Sequence, residues 1–360
     1  MAKTVKGGNF ERALAEITKE YGERALVPAS QISSPRRVST GLFALDALLA
    51  GGIPLGRVTE LVGEPSSGKS TLSLVVVANA QRTDRVTYLP LQSGGQPMRA
   101  VWLDLEGTFD PAWARAAGAD VESLYVAPAS YLEQAYDMVM ALIRTGEVDL
   151  IVIDSVAAMA PFDETDSSME DQQIGLAARG MNKGLRKLTA EFNRIVQTHE
   201  HAPAVIMINQ MRERIGVMFG SPETSPGGRG REFFASLRIK LWPEALSKAL
   251  KNDAEEIVAR TSSCKIEKNK VNGVYGQTRF QIYVKDHGRF GKGTIDDSQE
   301  LLETAVRFGV LQQSGAFYTM PDESKQQGRE KALTYLLERP EMFAMVRAEV
   351  IDRAGGTRRS

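Results

Sequence analysis

The chain has 360 residues, 42% hydrophobic and 25% charged, the balance of a globular protein with room for about two or three domains. Its formal net charge of −1 excludes a globally basic nucleic-acid binder, so any such site is a local patch. The one cysteine, Cys264, excludes an internal disulfide, and three histidines leave little from which to build a structural zinc site.

No apolar run approaches membrane-spanning length, and Met1–Phe10 carries no apolar signal segment, so a cytoplasmic location without membrane contact is expected. Phe10, Ala13, Leu14, Ile17 and Tyr21 recur at helical spacing and predict one amphipathic helix ending near Gly22. A short apolar run, Ala25-Leu26-Val27-Pro28, reads as a lone strand. Neither can bury its apolar face alone, so both pack on the rest of the chain or on a neighbouring subunit. Ser33–Arg37 reads as a linker.

From Val38 strands and helices alternate. Strands are expected at Val58–Val62, Ala100–Leu105, Asp149–Asp154 and Ala204–Asn209, with helices at Ser70–Gln81, Pro111–Ala117, Leu132–Thr145 and Gly175–Gln197. This alternation predicts an α/β fold with a mixed, mainly parallel twisted sheet, and ligands beyond the carboxyl ends of its strands. Ala235–Leu241, Ser263–Glu267 and Thr278–Val284 extend that sheet in antiparallel fashion. Val86–Leu91 and Met98–Trp102, flanking Gln92–Pro97, read as a hairpin. Beyond about Arg289 the composition shifts. Leu301, Leu302, Ala305, Val306 and Val310, then Ala332, Leu336 and Leu337, mark helices of a small C-terminal α+β domain, with a frayed end at 354–360.

The strongest motif is Gly63-Glu64-Pro65-Ser66-Ser67-Gly68-Lys69-Ser70, followed by Thr71, set between a strand and a helix. Its glycines let successive N–H groups point at phosphate oxygens, and the helix N-terminus adds partial positive charge. Lys69 suits the β and γ phosphates, and the Ser70 hydroxyl suits Mg²⁺. Asp154 ends an apolar strand, where a carboxylate is costly unless neutralised; Mg²⁺, directly or through water, would do so. Glu106 ends another strand and could deprotonate the attacking water, although a surface turn would also explain it. Gln210 could bond a γ phosphate and report its presence; a capping role is the plain alternative.

Two segments lack periodicity. One covers about 162–174 and is acidic; the other covers about 211–232 and holds Arg212, Arg214, Arg229 and Arg231 among several glycines. Loops of such length are functional or disordered. Arginine pairs phosphates in a bidentate manner, and Ile215 or Phe219 could wedge between bases. The helix after the first loop has an apolar face of Met181, Leu185, Leu188, Phe192 and Ile195, with Arg179, Lys183, Arg186 and Lys187 largely opposite. A basic stripe there suits a phosphate backbone, but alone it also fits a solvated face.

Together these residues resemble the bacterial RecA recombinase family, from about Phe10 to about Met320. Beyond the phosphate loop, the resemblance rests on Ser39-Thr40-Gly41 with Leu45-Asp46, Gly175-Leu176-Ala177-Ala178-Arg179, and Asn209-Gln210-Met211-Arg212. It rests also on Ile215–Gly220, Pro222-Glu223-Thr224, Gly227-Gly228 and Lys268-Asn269-Lys270. The resemblance implies a P-loop, RecA-type ATPase that uses ATP and Mg²⁺. It implies a homo-oligomeric helical filament on single-stranded DNA that pairs with homologous duplex and exchanges strands in DNA repair and the SOS response. Repressor and mediator proteins are further partners it suggests. It makes Glu106 the base for water attack, puts Gln210 at the γ phosphate, and places Asp110 and Trp113 near the adenine, Trp113 standing where a tyrosine is usual. It sends Lys268 and Lys270 to the nucleotide of the neighbouring subunit. It makes Ile174, Gly175, Arg179, Asn182, Arg186, Arg212, Arg214, Ile215, Gly216, Gly227 and Gly228 DNA-binding.

The implied domains are a docking piece at 1–34, the ATPase core at 35–288 and a C-terminal domain at 289–360. The chain departs from the family pattern in the extra length of Thr83–Ala100, in Glu213 and Pro226 within the second loop, in the acidic first loop, and in Val284. The acidic tail of many relatives is also missing, which predicts easier loading on duplex. The competing readings are another ATPase of this fold, such as a ring helicase or repair accessory factor, or a coating protein that binds ATP without turnover.

Overall fold

The computed structural model describes residues 8–32, 34–158, 176–198, 202–213, 223–224 and 234–355. Its first element is α1 (Asn9–Tyr21), amphipathic as the spacing predicts, with no buried residue. Phe10 and Tyr21 are 69% and 59% exposed. The run Ala25–Pro28 does not form a strand: it is turn and extended chain leading to a single 3₁₀ turn. A strand needs a partner ladder, and none is paired with this run among the described residues.

The core begins with β1 (Arg37–Val38), α2 (Phe43–Leu48) and β2 (Ile53–Pro54), then β3 (Val58–Gly63) and α3 (Lys69–Gln81). Next come β4 (Ala100–Asp104), α4 (Pro111–Ala116), β5 (Tyr125–Pro128), α5 (Leu132–Thr145) and β6 (Leu150–Asp154). The long helix α6 (Leu176–Thr198) leads to β7 (Ala204–Gln210), and the two-residue strands β8 (Arg212–Glu213) and β9 (Glu223–Thr224) pair with each other. The core closes with β10 (Leu237–Pro243), β11 (Leu250–Lys251), β12 (Ile257–Asn269), β13 (Gln277–Tyr283) and β14 (Ile295–Asp296).

One sheet runs β14-β13-β12-β10-β3-β7-β6-β4-β5, with β11 beside β12. The strands from β10 to β5 pair in parallel, and those from β10 to β14 are antiparallel. The central strands read as unbroken apolar runs because both faces are covered: Leu150–Asp154 is buried throughout. One face packs on α3 through Leu61, Val152, Ile206 and Ile239. The other packs on α5 and α6 through Ile151, Val205, Met207, Val139 and Leu185.

The segment between α3 and β4 is not a hairpin. It makes only isolated bridges, Thr83 with Pro90 and Asp84 with Pro97. Asp84 organises it instead, accepting from the backbone N–H groups of Val86, Thr87 and Gln96 at 3.0, 2.7 and 2.8 Å. These bonds hold the Asp84 carboxyl down at about 2. Val86 and Leu89, which suggested a strand, are both 63% exposed.

The C-terminal part combines α7 (Ser298–Arg307), a three-stranded antiparallel sheet β15 (Gln312–Ser314), β16 (Phe317–Thr319) and β17 (Lys325–Gln327), α8 (Arg329–Leu337) and α9 (Pro340–Gly355). Of the end expected to fray, 354–360, Ala354 and Gly355 instead close α9, and 356–360 lie outside the described residues. Its core of Leu301, Leu302, Tyr318, Leu336 and Val350 also takes in Phe43 and Ala47 of α2. Two buried carboxylates tie it to the core. Asp297 accepts from Ala44 N at 2.7 Å. Asp46 accepts from Thr40 N at 2.7 Å and from Arg347 of α9 at 2.8 Å.

Candidate nucleotide and nucleic-acid site

The ends of β3, β4, β6 and β7 converge on one edge of the sheet. β3 stops at Gly63, where a Cβ would sit 2.0 Å from the Leu241 carbonyl oxygen of β10, so only glycine lets the loop leave the strand there. The loop re-enters helix at Gly68, with φ +87, where a Cβ would meet Ile282 Cδ1 at 2.4 Å. Both glycines keep the loop backbone clear of side chains, as a phosphate cradle requires. Lys69 Nζ donates to Gly63 O at 3.0 Å and Glu64 O at 2.6 Å. Burial lowers its pKa, while Asp154, Glu106 and Glu64 oppose that shift.

Ser70 Oγ donates to Asp154 Oδ2 at 2.8 Å, joining the start of α3 to the end of β6. Burial pushes the Asp154 carboxyl up to about 6; the Ser70 bond opposes this, and Glu106 and Asp104 reinforce it. Two oxygen ligands side by side, one on a carboxylate disfavoured by its own burial, fit a hard divalent cation. The peptide after Asp154 is cis.

β4 ends one residue early, at Asp104, so Glu106 stands in the following loop and is exposed. Asp104 holds that loop by accepting from Phe109 N at 2.9 Å. Gln210 Nε2 donates to Glu106 Oε1 at 2.9 Å, and Ser155 Oγ donates to the same oxygen. Ser155 and Asp104 were not singled out in the sequence, although Ser155 adjoins Asp154 and Asp104 lies two residues before Glu106.

A cleft of about 240 Å³ opens between the phosphate loop, Trp113, Arg260, Ile282 and Val284. Trp113 Nε1 donates to Thr71 Oγ1 at 3.1 Å, and Lys292 lies 5.7 Å from the indole centroid. Asp110 does not line the cleft; it caps α4 by accepting from Ala112 N at 2.8 Å. Arg260 is a lining cation that sequence periodicity gave no reason to choose.

On α6 the predicted apolar face is buried, while Arg179, Lys183, Arg186 and Lys187 are exposed. Asn182 is half-buried on the same helix. Arg212 belongs to β8. Ile174, Gly175, Arg214, Ile215, Gly216, Gly227 and Gly228 lie outside the described residues. Lys268 is the penultimate residue of β12 and Lys270 follows the strand; neither lines the cleft. Asn269 between them shapes a tight turn: its Oδ1 accepts from Val271 N at 3.0 Å, and its Nδ2 donates to Val274 O at 2.9 Å. No described helix is long and apolar enough to cross a membrane.

The RecA N-terminal domain profile matches residues 8–288 and the RecA C-terminal domain profile matches 299–355. Protein RecA of Thermus aquaticus is 38% identical over 352 residues, covering 97% of this chain and 95% of the relative. Protein RecA of Rubrobacter xylanophilus is 38% identical over 353 residues, covering 97% and 94%. Protein RecA of Salinispora tropica is 39% identical over 349 residues, covering 96% and 92%. With this coverage and the phosphate loop in place, the chain belongs to the RecA family of DNA-dependent ATPases that act in recombination and repair.

Proposed function

We propose that this chain assembles as an ATP-bound helical filament on single-stranded DNA, pairs it with homologous duplex and exchanges strands. The observation that carries this reading is the placement of Gln210. It contacts Glu106 at the nucleotide edge, and the next residue, Met211, opens the arginine- and glycine-rich segment 211–232.

In this reading Lys69 and the loop N–H groups bind the phosphates, and the Trp113 face stacks on the base. Ser70 and Asp154 would hold Mg²⁺, which when bound supplies charge neutralisation at the phosphates. Glu106 orients and deprotonates the attacking water, held in place by Gln210 and Ser155. Lys268 and Lys270 supply positive charge to a neighbour's nucleotide, as arginine fingers do in other ATPases. The exposed stripe Arg179, Lys183, Arg186 and Lys187 and the two loops grip DNA phosphates.

The unburied α1, with Phe10 and Tyr21 exposed, docks on the next subunit, and the run from Ala25 becomes a strand only there. The docking piece is then 1–34; because β14 belongs to the central sheet, the ATPase core runs from 35 through Asp296 rather than to 288, and the C-terminal part follows it, in the cytoplasm. Strand exchange with homologous and heterologous duplex tests the reading, because recombination alone needs homology. Product with the homologous duplex only is expected; product with neither, or with both, contradicts it.

A further inference from the structure

Four polar side chains run across adjacent strands of the sheet, one each from β7, β3, β10 and β12, from the buried Asn209 to the exposed Glu267. Asn209 Nδ2 donates to Glu60 Oε1 at 2.9 Å. Glu60 Oε2 lies 3.5 Å from an Arg238 guanidinium nitrogen, and Arg238 Nε lies 3.1 Å from Glu267 Oε2. Asn209 and Glu60 are buried, and the Arg238 side chain is only 11% exposed. On the α6 side Glu60 borders a small void of about 10 Å³ lined also by the apolar Val58, Val156, Leu185, Met207 and Ala235.

The buried Glu60–Arg238 pair is of a kind that often stabilises a fold no better than apolar side chains of similar volume would. Its position suggests another use. At the β7 end, Asn209 is followed by Gln210, which reaches the opposite face of the sheet and Glu106. At the β12 end there is a β-bulge. Arg238 stands opposite Lys268 and Ile239 opposite Ile266, so Glu267 is the extra residue in the ladder. A bulge re-aims the residues immediately after it, here Lys268-Asn269-Lys270. Arg238 therefore holds the bulge through Glu267 while its other contact holds Glu60.

We propose that Glu60 is a positioning residue. Through Arg238 and Glu267 it fixes the end of β12 relative to the end of β7, so that Gln210 and the two lysines keep one mutual geometry. The inference rests on the roles proposed above for Gln210, Lys268 and Lys270. If one subunit reads the γ phosphate with Gln210 and reaches its neighbour's nucleotide with the lysines, this link couples consecutive sites in an assembly.

The test is Glu60→Gln in the full chain. It keeps the volume and an acceptor for Asn209 and removes the charge facing Arg238. Turnover is measured with and without a poly-dT oligonucleotide, with binding of a fluorescent ADP and thermal unfolding alongside. We expect DNA-stimulated kcat to fall about tenfold while KM, ADP binding and the unfolding midpoint stay near wild type. Glu267, with its side chain 34% exposed, provides a variant that folds whatever Glu60→Gln does, and Glu267→Gln should lose stimulation in the same sense. Wild-type stimulation in both variants overturns the link, as does a parallel fall in ADP binding and midpoint, which would make Glu60 structural only. A wild-type chain that DNA does not stimulate would instead contradict the functional reading beneath it.

Discussion

Gln210 Nε2 donates to Glu106 Oε1 across 2.9 Å, joining the tip of β7 to the loop after β4. The acid proposed as the base and the residue preceding the second loop's Met211 are therefore bonded to each other. A change in what Glu106 faces can reach Met211 through one side chain.

Glu106→Gln tests the base assignment. It keeps the size and one acceptor for Gln210 and Ser155 but cannot take a proton. Turnover should fall by about 10²–10⁴-fold with nucleotide binding retained. Phosphate release and equilibrium binding of a non-hydrolysable analogue measure the two separately, and unchanged turnover would remove Glu106 from the chemistry.

Gln210→Ala tests the link from nucleotide to DNA. In the wild type, a non-hydrolysable analogue should tighten oligonucleotide binding by about 5–150-fold, the usual span of allosteric coupling. In the variant this ratio should approach one while nucleotide binding persists. Fluorescence anisotropy of a labelled oligonucleotide, with and without analogue, gives the ratio directly.

Trp113 should report nucleotide binding by its own emission. Of the three tryptophans, Trp102 is buried against Phe109, whereas Trp113 lines the cleft. Trp113→Phe should abolish most of the nucleotide-induced change. It should weaken binding about fivefold, because a ring still stacks but the bond to Thr71 Oγ1 is gone. An unchanged signal in the variant would place the base elsewhere.

Asp297 makes stability depend on pH in an unusual direction. Burial pushes its carboxyl up to about 7 from 3.8; the backbone N–H groups of Ala44 and Phe43 oppose the shift, and Asp296 and Asp46 add to it. Between those values the folded state holds a proton that the unfolded state has released. This group's contribution to stability therefore declines as pH rises from about 4 to 7. Asp297→Asn keeps an acceptor for Ala44 N and has no proton to lose. Relative to wild type, its unfolding midpoint should rise as pH goes from about 4 to about 7 and level off above that. A constant offset between the two proteins would refute this.

Local signals in the sequence carry much of the candidate site. The phosphate loop was legible because its glycines, lysine and serine act within eight residues, and Asp154 and Gln210 because each ends a long apolar strand. The strands the sequence missed are short and lack a pattern. β5 is an edge strand ending in Pro128, with Tyr125 exposed, and β15 and β17 are three-residue polar strands. The misread hairpin failed because one side chain, Asp84, replaces a ladder with its own bonds to the backbone, and apolar spacing does not register that. Asp110, which the resemblance places near the adenine, caps α4. The Glu60–Arg238–Glu267 link depends on strand order, which no local window contains.

The central claim is that ATP joins protomers and its terminal phosphate decides whether DNA is held. The most direct measurement is mass and oligonucleotide binding by analytical ultracentrifugation, with a labelled poly-dT oligonucleotide, in ADP and in a non-hydrolysable ATP analogue. The account predicts large, length-distributed assemblies carrying the oligonucleotide in the analogue and far weaker association in ADP. A chain that stays monomeric, and binds the oligonucleotide equally in both, contradicts it.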